Sequence, residues 1–186
     1  MYKDRAIKIY LDDLAGRLPA PGGGSASALN SAMAAALIGM VVNFTLGKPK
    51  YAKYEKELKE ILTKSEVLRK EFLNLVDLDV LAYKSKNIRD ALNVPFMVAR
   101  LSFEGIKLCP GLIKKGNINL ITDLAIAAIL FEAGFVSAFL NVEINLKCLA
   151  DKKLAKSMGG ELSKKNKLIK KIRIDMEKRV GEIIRG

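Results

Sequence analysis

The sequence predicts an all-α fold: one domain over residues 1–186, an antiparallel bundle of about six helices that pairs as a dimer. Three observations predict it. Apolar residues recur at spacings of three and four through most of the chain. No run alternates apolar and polar residues between turn signals, as a half-buried strand requires. Glycine and proline breakers divide the chain into pieces of helical length. The 186 residues fit a single domain, and with 50% hydrophobic and 28% charged residues a disordered chain is excluded.

Each element has its own signal. Residues 4–17 set Ile7, Ile9, Leu11 and Leu14 among charges, a short amphipathic helix. Pro19-Ala-Pro21-Gly-Gly-Gly24 breaks it. Ser25 then stands as N-cap of a long alanine-rich helix to about Thr45, which Gly47-Lys-Pro49 ends. From Lys50 to about Lys84 the chain is charged and periodic. Leu58, Ile61, Leu62, Leu68, Phe72, Leu75, Val76 and Asp79 fall on its stripe. Leu92 to Pro95 contains a break, and a helix follows from about Phe96 to Lys115, interrupted near Pro110. Gly116-Asn-Ile-Asn119 is a loop whose Asn119 caps the next helix, running to about Leu149. The last helix spans about Glu161–Ile184, with Ile169, Ile172, Met176, Val180 and Ile183 on its apolar side.

Two stretches, Ala26–Val42 and Leu124–Leu140, are apolar on nearly every side. Both fall short of the ~20 residues that span hydrocarbon. Each also holds a group that lipid disfavours, Asn30 in one and Glu132 in the other. They read as helices at the centre of the bundle or in a subunit interface, with no membrane partner. Long helices with small apolar faces leave surface that one subunit of this size cannot cover, hence the expected homodimer.

Composition narrows the chemistry. There is no histidine, so a Ser-His-Asp or Cys-His device and an imidazole base are excluded. Cys109 and Cys148 lie far apart and form neither a disulfide framework nor a ligand cluster, so no metal site is expected. The charged N-terminus has no apolar core behind it, so the protein is expected in the cytoplasm. Acid–base work falls to carboxylates, lysines, tyrosines, cysteines or backbone groups.

The net charge is +12, from 32 Lys+Arg against 20 Asp+Glu. Residues 151–186 are the densest in lysine, but Asp175, Glu177 and Glu182 interrupt them and no aromatic is interleaved for base stacking. This reads as a solvated lysine-rich face, with nucleic acid not expected as a partner. The positive field still attracts small polyanions.

Chemistry concentrates in Leu18-Pro-Ala-Pro-Gly-Gly-Gly-Ser-Ala-Ser-Ala28. Three consecutive glycines lose much backbone entropy on ordering, and they belong where a backbone approaches something closely. Placed before a long helix, they aim free N–H groups and the positive helix end at one spot. No Gly-Lys-Ser/Thr follows and no strand precedes, so this is neither a Walker loop nor a dinucleotide fingerprint. An anion or ligand site and a tight helix–helix turn both fit.

Pro-x-Pro-Gly-Gly-Gly-Ser at 19–25 resembles the opening motif of the cyclodeaminase/cyclohydrolase family. That family comprises the cyclodeaminase part of formiminotransferase-cyclodeaminase and free-standing methenyltetrahydrofolate cyclohydrolases. The resemblance extends in order through Ile9-Tyr-Leu-Asp-Asp-Leu14, Met40-Val-Val-Asn-Phe-Thr-Leu-Gly-Lys48 and Val76-Asp-Leu-Asp-Val-Leu-Ala-Tyr83. It continues through Gly116-Asn-Ile-Asn-Leu-Ile-Thr-Asp123 and Asn141-Val-Glu-Ile-Asn-Leu146. Relative to the family, Lys84–Asn93 is short, and no family motif follows Lys152. The resemblance implies an all-α, dimeric folate enzyme with no tightly bound cofactor, the tetrahydrofolate derivative being the substrate.

The residues suit that chemistry. Asp123, expected in the first turn of its helix where the dipole favours negative charge, suits a base or a holder of a cationic ring. Asp79 lies beside Phe72, Leu75 and Val76, where desolvation raises its pKa toward that of a proton donor. Asp77, two residues away, reads as a solvated surface charge. Glu132 reads as structural, paired across an interface. Pro21, Gly22, Gly23, Gly24 and Ser25 form the expected binding loop. Asn119, Asn141 and Asn145 offer hydrogen bonds to a pterin, and Lys147 can meet an acidic substrate. The first reading is a methenyltetrahydrofolate cyclohydrolase working through Asp123 and Asp79. The second is a formiminotetrahydrofolate cyclodeaminase releasing ammonia. The third is a non-catalytic, basic helical binding protein.

Overall fold

The computed structural model describes residues 1–186 and is helical throughout, without strands. Helices α1 (Ile7–Ala15), α2 (Gly23–Asn43), α3 (Glu55–Ser85), α4 (Ile88–Ile106), α5 (Cys109–Lys115), α6 (Ile121–Cys148) and α7 (Lys152–Arg185) follow in order. Short 3-10 turns at Tyr2–Asp4, Pro49–Tyr54 and Ile118–Leu120 join them. The two-residue step between α4 and α5 is the interruption expected near Pro110, which sits at the start of α5. Taken as one broken helix, the pair makes the expected six.

α2 and α6 form the centre. α2 lies between α3 and α6, while α4 and α7 pack on the other sides of α6. Neighbours run antiparallel: Gly24 meets Asp79 on α3, Asn30 bonds Leu130 on α6, Asn145 bonds Ala91 on α4, and Arg173 on α7 meets Glu132 on α6. Contrary to the length expected, the two near-membranous stretches lie in helices of 21 and 28 residues, long and apolar enough to span hydrocarbon, and these pack at the centre of the bundle with much of their apolar surface buried. Small residues let them approach. A Cβ on Gly134 would fall 2.0 Å from Ser31 Oγ, and one on Gly105 would fall 2.3 Å from the Phe131 ring. The serines this buries are satisfied: Ser27 donates to Gly23 O at 2.7 Å, and Ser31 and Ser102 hydroxyls meet at 2.8 Å. Glu132 pairs with Arg173 at 3.0 Å, the structural role expected of it.

Four local expectations are corrected. Pro95 does not break the chain; it lies inside α4 and is buried. A proline there has no N–H for the Ala91 carbonyl, four residues back. Asn145 Nδ2 donates to that carbonyl at 2.7 Å, so a side chain from α6 replaces the missing bond. Asn119 does not cap α6: Asn117 accepts from the Asn119 N–H and caps the preceding 3-10 turn, and α6 begins after Leu120 without a side-chain cap. Gly159 and Gly160 lie within α7, which starts at Lys152 behind the Asp151 cap. Asp77 is not a surface charge. It is 4% exposed, accepts from the Tyr2 N–H at 2.6 Å, and its Oδ2 has no partner.

Not all of the apolar surface is enclosed. Met33 on α2 and Phe44 just past its end, with Ile126, Ile129, Leu140 and Ile144 on α6, are exposed. On each helix they recur at helical spacing along one side, away from the neighbours just named.

Candidate active site

The glycine segment starts α2. Gly22 is the N-cap, in extended backbone, and contributes no side chain to the cap. Ser25 is therefore the third helical residue, not the N-cap. The capping acceptor comes from α3: Asp79 Oδ2 accepts the Ser25 N–H at 2.9 Å. The backbone presses so close that a Cβ on Gly24 would lie 2.1 Å from Asp79 Oδ1. The protein's own Asp79 carboxyl thus stands at this helix end, where the free N–H groups and the helix dipole meet it. The close helix-to-helix approach that the glycines predict is this contact.

Ser25 is fully buried. Its hydroxyl donates to Val76 O at 3.0 Å and lies 3.2 Å from the Tyr10 hydroxyl, which donates to it. Burial raises the Asp79 pKa above the ordinary aspartate range, and the Ser25 N–H offsets part of the rise. Burial likewise raises Tyr10, the Ser25 bond opposes it, and the Asp79 charge adds to it. Tyr10, Ser25 and Asp79 form one network, whose carboxyl keeps its proton to higher pH than a free aspartate. Such a group serves as a proton donor. Tyr10 was not singled out from sequence; the only signal was its place in the Ile9–Leu14 motif.

Asn141 belongs to the same end. Its Nδ2 bonds Ser137 O at 3.1 Å and lies 3.8 Å from where a Gly23 Cβ would sit. Pro21 is buried, Gly22 half-buried and Gly23 exposed. Beyond Pro21 lies a cleft of about 280 Å³ lined by Tyr2, Arg5, Ala20, Asp77, Val80 and Lys84. Lys147 is exposed on a groove between α6 and α7, lined also by Glu143, Gly159 and Ser163. Asn145 Nδ2 is committed to Ala91, as described.

The remaining expected residues lie elsewhere. Asp123 is half-buried in the first turn of α6, as expected, and Asn119 is exposed just before it. Asp123 and Asn141 share one line of α6, five helical turns apart, which at 1.5 Å per residue is about 27 Å. Around the Asp123 end gather the other motif residues. The Asn117 N–H donates to Thr45 Oγ1 at 2.9 Å, and the Ile118 N–H donates to Tyr51 Oη at 3.3 Å. One chain therefore carries two clusters at opposite ends of the α2–α6 pair. It does not bring Asp79 and Asp123 together.

The family model described as Formiminotransferase-cyclodeaminase matches residues 6–87 and 85–164, the two segments meeting at the α3–α4 turn. The chain is similar to the methenyltetrahydrofolate cyclohydrolase of Methylorubrum extorquens, with 37% identity over 185 residues, covering 87% of this chain and 89% of that protein. It is also similar to the formimidoyltransferase-cyclodeaminase of Rattus norvegicus, at 26% identity over 171 residues. There the aligned part is 80% of this chain and 32% of the longer protein. Among solved structures, the formiminotetrahydrofolate cyclodeaminase of Thermotoga maritima matches with a TM-score of 0.93 and 30% identity, covering 99% of this chain and 100% of that one. With most of its length inside the family model, and a relative 37% identical over an alignment that covers 87% of this chain, the chain belongs to the formiminotransferase-cyclodeaminase family of enzymes.

Proposed function

We propose that this chain is a methenyltetrahydrofolate cyclohydrolase, which opens the 5,10-methenyl ring to 10-formyltetrahydrofolate. The observation that carries the reading is the Asp79 carboxyl, half-buried, raised in pKa and clasped by the glycine-started helix. The nearly full-length relative with a cyclohydrolase name supports the choice of reaction. Water adds to the cationic methenyl carbon and loses one proton to a base. The carbon–N5 bond then breaks as N5 takes a proton, the new hydroxyl gives up its own proton to become the formyl carbonyl, and the formyl group stays on N10. The reaction releases one proton overall. Asp79 is the donor to N5, with Tyr10 and Ser25 positioning it. Asp123 is the base. The protein is cytoplasmic and needs no tightly bound cofactor.

This assignment requires a second copy of the chain. Asp123 is about 27 Å from the Asp79 end along α6. The exposed apolar stripes of α2 and α6 run between the two clusters. Met33 and Ala133 lie near the middles of these helices and are exposed. A twofold axis near them lays each copy antiparallel on the other and exchanges the helix ends. Asp123 of one copy then approaches Asp79 and Asn141 of its mate.

The test follows the loss of methenyltetrahydrofolate absorbance with and without protein, corrected for buffer-catalysed opening. Protein-dependent loss that falls by about 10²–10⁴-fold in Asp79→Asn is expected for a positioned acid. Unchanged turnover in the folded variant removes Asp79 from the mechanism. The Thermotoga maritima neighbour, described as a formiminotetrahydrofolate cyclodeaminase, favours a second reading. Ammonia release from 5-formiminotetrahydrofolate, with no opening of the methenyl ring, selects it.

A further inference from the structure

The basic tail reads differently once its acids are placed. α7 carries twelve Lys or Arg residues against four Asp or Glu, and beyond residue 164 it lies outside the family match. Arg179 holds Asp175 at 3.2 Å, Arg173 holds Glu177 and Glu132 at 2.5 and 3.0 Å, and Lys165 holds Glu161 at 2.8 Å. Of the acids on this helix, Asp175 and Glu177 are thus neutralised by arginines and Glu161 by Lys165, while Glu182 makes no ion pair.

What remains is a row. Lys153, Lys156, Lys164, Lys167, Lys171 and Lys178 are exposed, and none makes an ion pair. Their spacings of 3, 8, 3, 4 and 7 keep them on one side of the helix. At 1.5 Å per residue the row is about 38 Å long. Glu182, one turn beyond Lys178, ends it.

We infer that this row is a docking surface for the phosphate backbone of a double-stranded nucleic acid, bound without sequence preference. The length matches roughly one duplex turn of 34–36 Å. Lysines contact phosphates as point charges and release counterions on binding. α7 has no aromatic residue, so it offers no stacking platform for unpaired bases. Its continuous apolar side, with Met158, Leu162, Ile169, Met176 and Val180, is buried in the bundle, and the exposed Leu154, Leu168, Ile174, Ile183 and Ile184 are scattered around the helix, so α7 offers no continuous apolar face to a lipid surface. The surface lies apart from Asp79 and Asp123, and the inference does not depend on the folate reaction.

The experiment is fluorescence anisotropy of a 24-base-pair duplex titrated with the full chain between 50 and 200 mM salt. Binding that weakens linearly in log–log form is expected. Lys156→Ser/Lys164→Ser/Lys167→Ser should make the slope shallower by about 3 × 0.9. Circular dichroism checks that the variant is folded, and Lys167→Ser/Lys171→Ser repeats the test with a smaller change. Methenyltetrahydrofolate turnover should stay at the wild-type level. An unchanged slope in both variants, no duplex binding, preference for single strands, or binding only to phosphatidylserine vesicles each overturns the inference.

Discussion

Gly24 and Asp79 show how one missing Cβ sets up a reactive group. The carboxylate caps α2 from another helix, and only a glycine leaves it room. Gly24→Ala should therefore destabilise the fold by about 1–3 kcal/mol, as overpacking does, and abolish turnover. Gly23→Ala is the control, because its new Cβ would meet Asn141 at an ordinary 3.8 Å. Urea denaturation of the two variants should separate them clearly; equal stability contradicts the contact. The pH dependence has a defined sign. Burial raises the folded Asp79 pKa, so the native chain holds a proton that the unfolded chain has already released. The stability linked to this group is complete below the ordinary aspartate range and is lost as pH rises through the folded pKa. Asp79→Asn keeps an acceptor for Ser25 but does not titrate. The unfolding free energy of wild type minus that of the variant should fall with rising pH across this window. A difference that grows with pH would mean the Ser25 bond outweighs burial.

Among the elements, α4 shows why a proline can sit inside a helix. The Ala91 carbonyl loses its usual donor at Pro95 and regains one from Asn145. Asn145→Ala should cost about 1–3 kcal/mol, the penalty for a polar group left unpaired. Pro95→Ala restores a backbone N–H, so in that background the same Asn145 change should cost much less. The double-mutant cycle measures this coupling directly, and simple additivity of the two changes refutes it. The pairing also ties the α6 C-terminal half to the start of α4, beside the short α3–α4 turn where the two family segments meet.

For the whole molecule, the separation of the two clusters makes a specific demand. If Asp79 and Asp123 act at one site from different copies, each single variant is inactive in both sites. A mixed dimer of Asp79→Asn and Asp123→Asn chains regains one intact site. Refolding an equal mixture should restore about a quarter of wild-type turnover, given random pairing into twofold dimers. No recovery, in a mixture that sedimentation shows to be dimeric, argues that the two residues act from one chain or not together.

The number and order of the helices, though not the starts of α4 and α7, the central place of α2 and α6, and the glycine segment as a point of close approach were legible in the sequence. They depend on local periodicity and on residue types that allow few alternatives, as with the alanine-rich run after Gly24. The elevated Asp79 followed from its apolar neighbours one turn away on the same helix. Pairings between distant segments were not legible. Asp77 looks like any helix carboxylate until the Tyr2 turn covers it. Ser25 looks like an N-cap until Asp79, 54 residues later, takes that role. Pro95 looks like a break until Asn145 supplies the donor it lacks. Each is a hydrogen bond between remote parts of the chain, and such bonds leave no period or spacing in the sequence. The same holds for Asp123 and Asp79: the sequence supplied both carboxylates, and only the tertiary structure set them at opposite ends of the central helices.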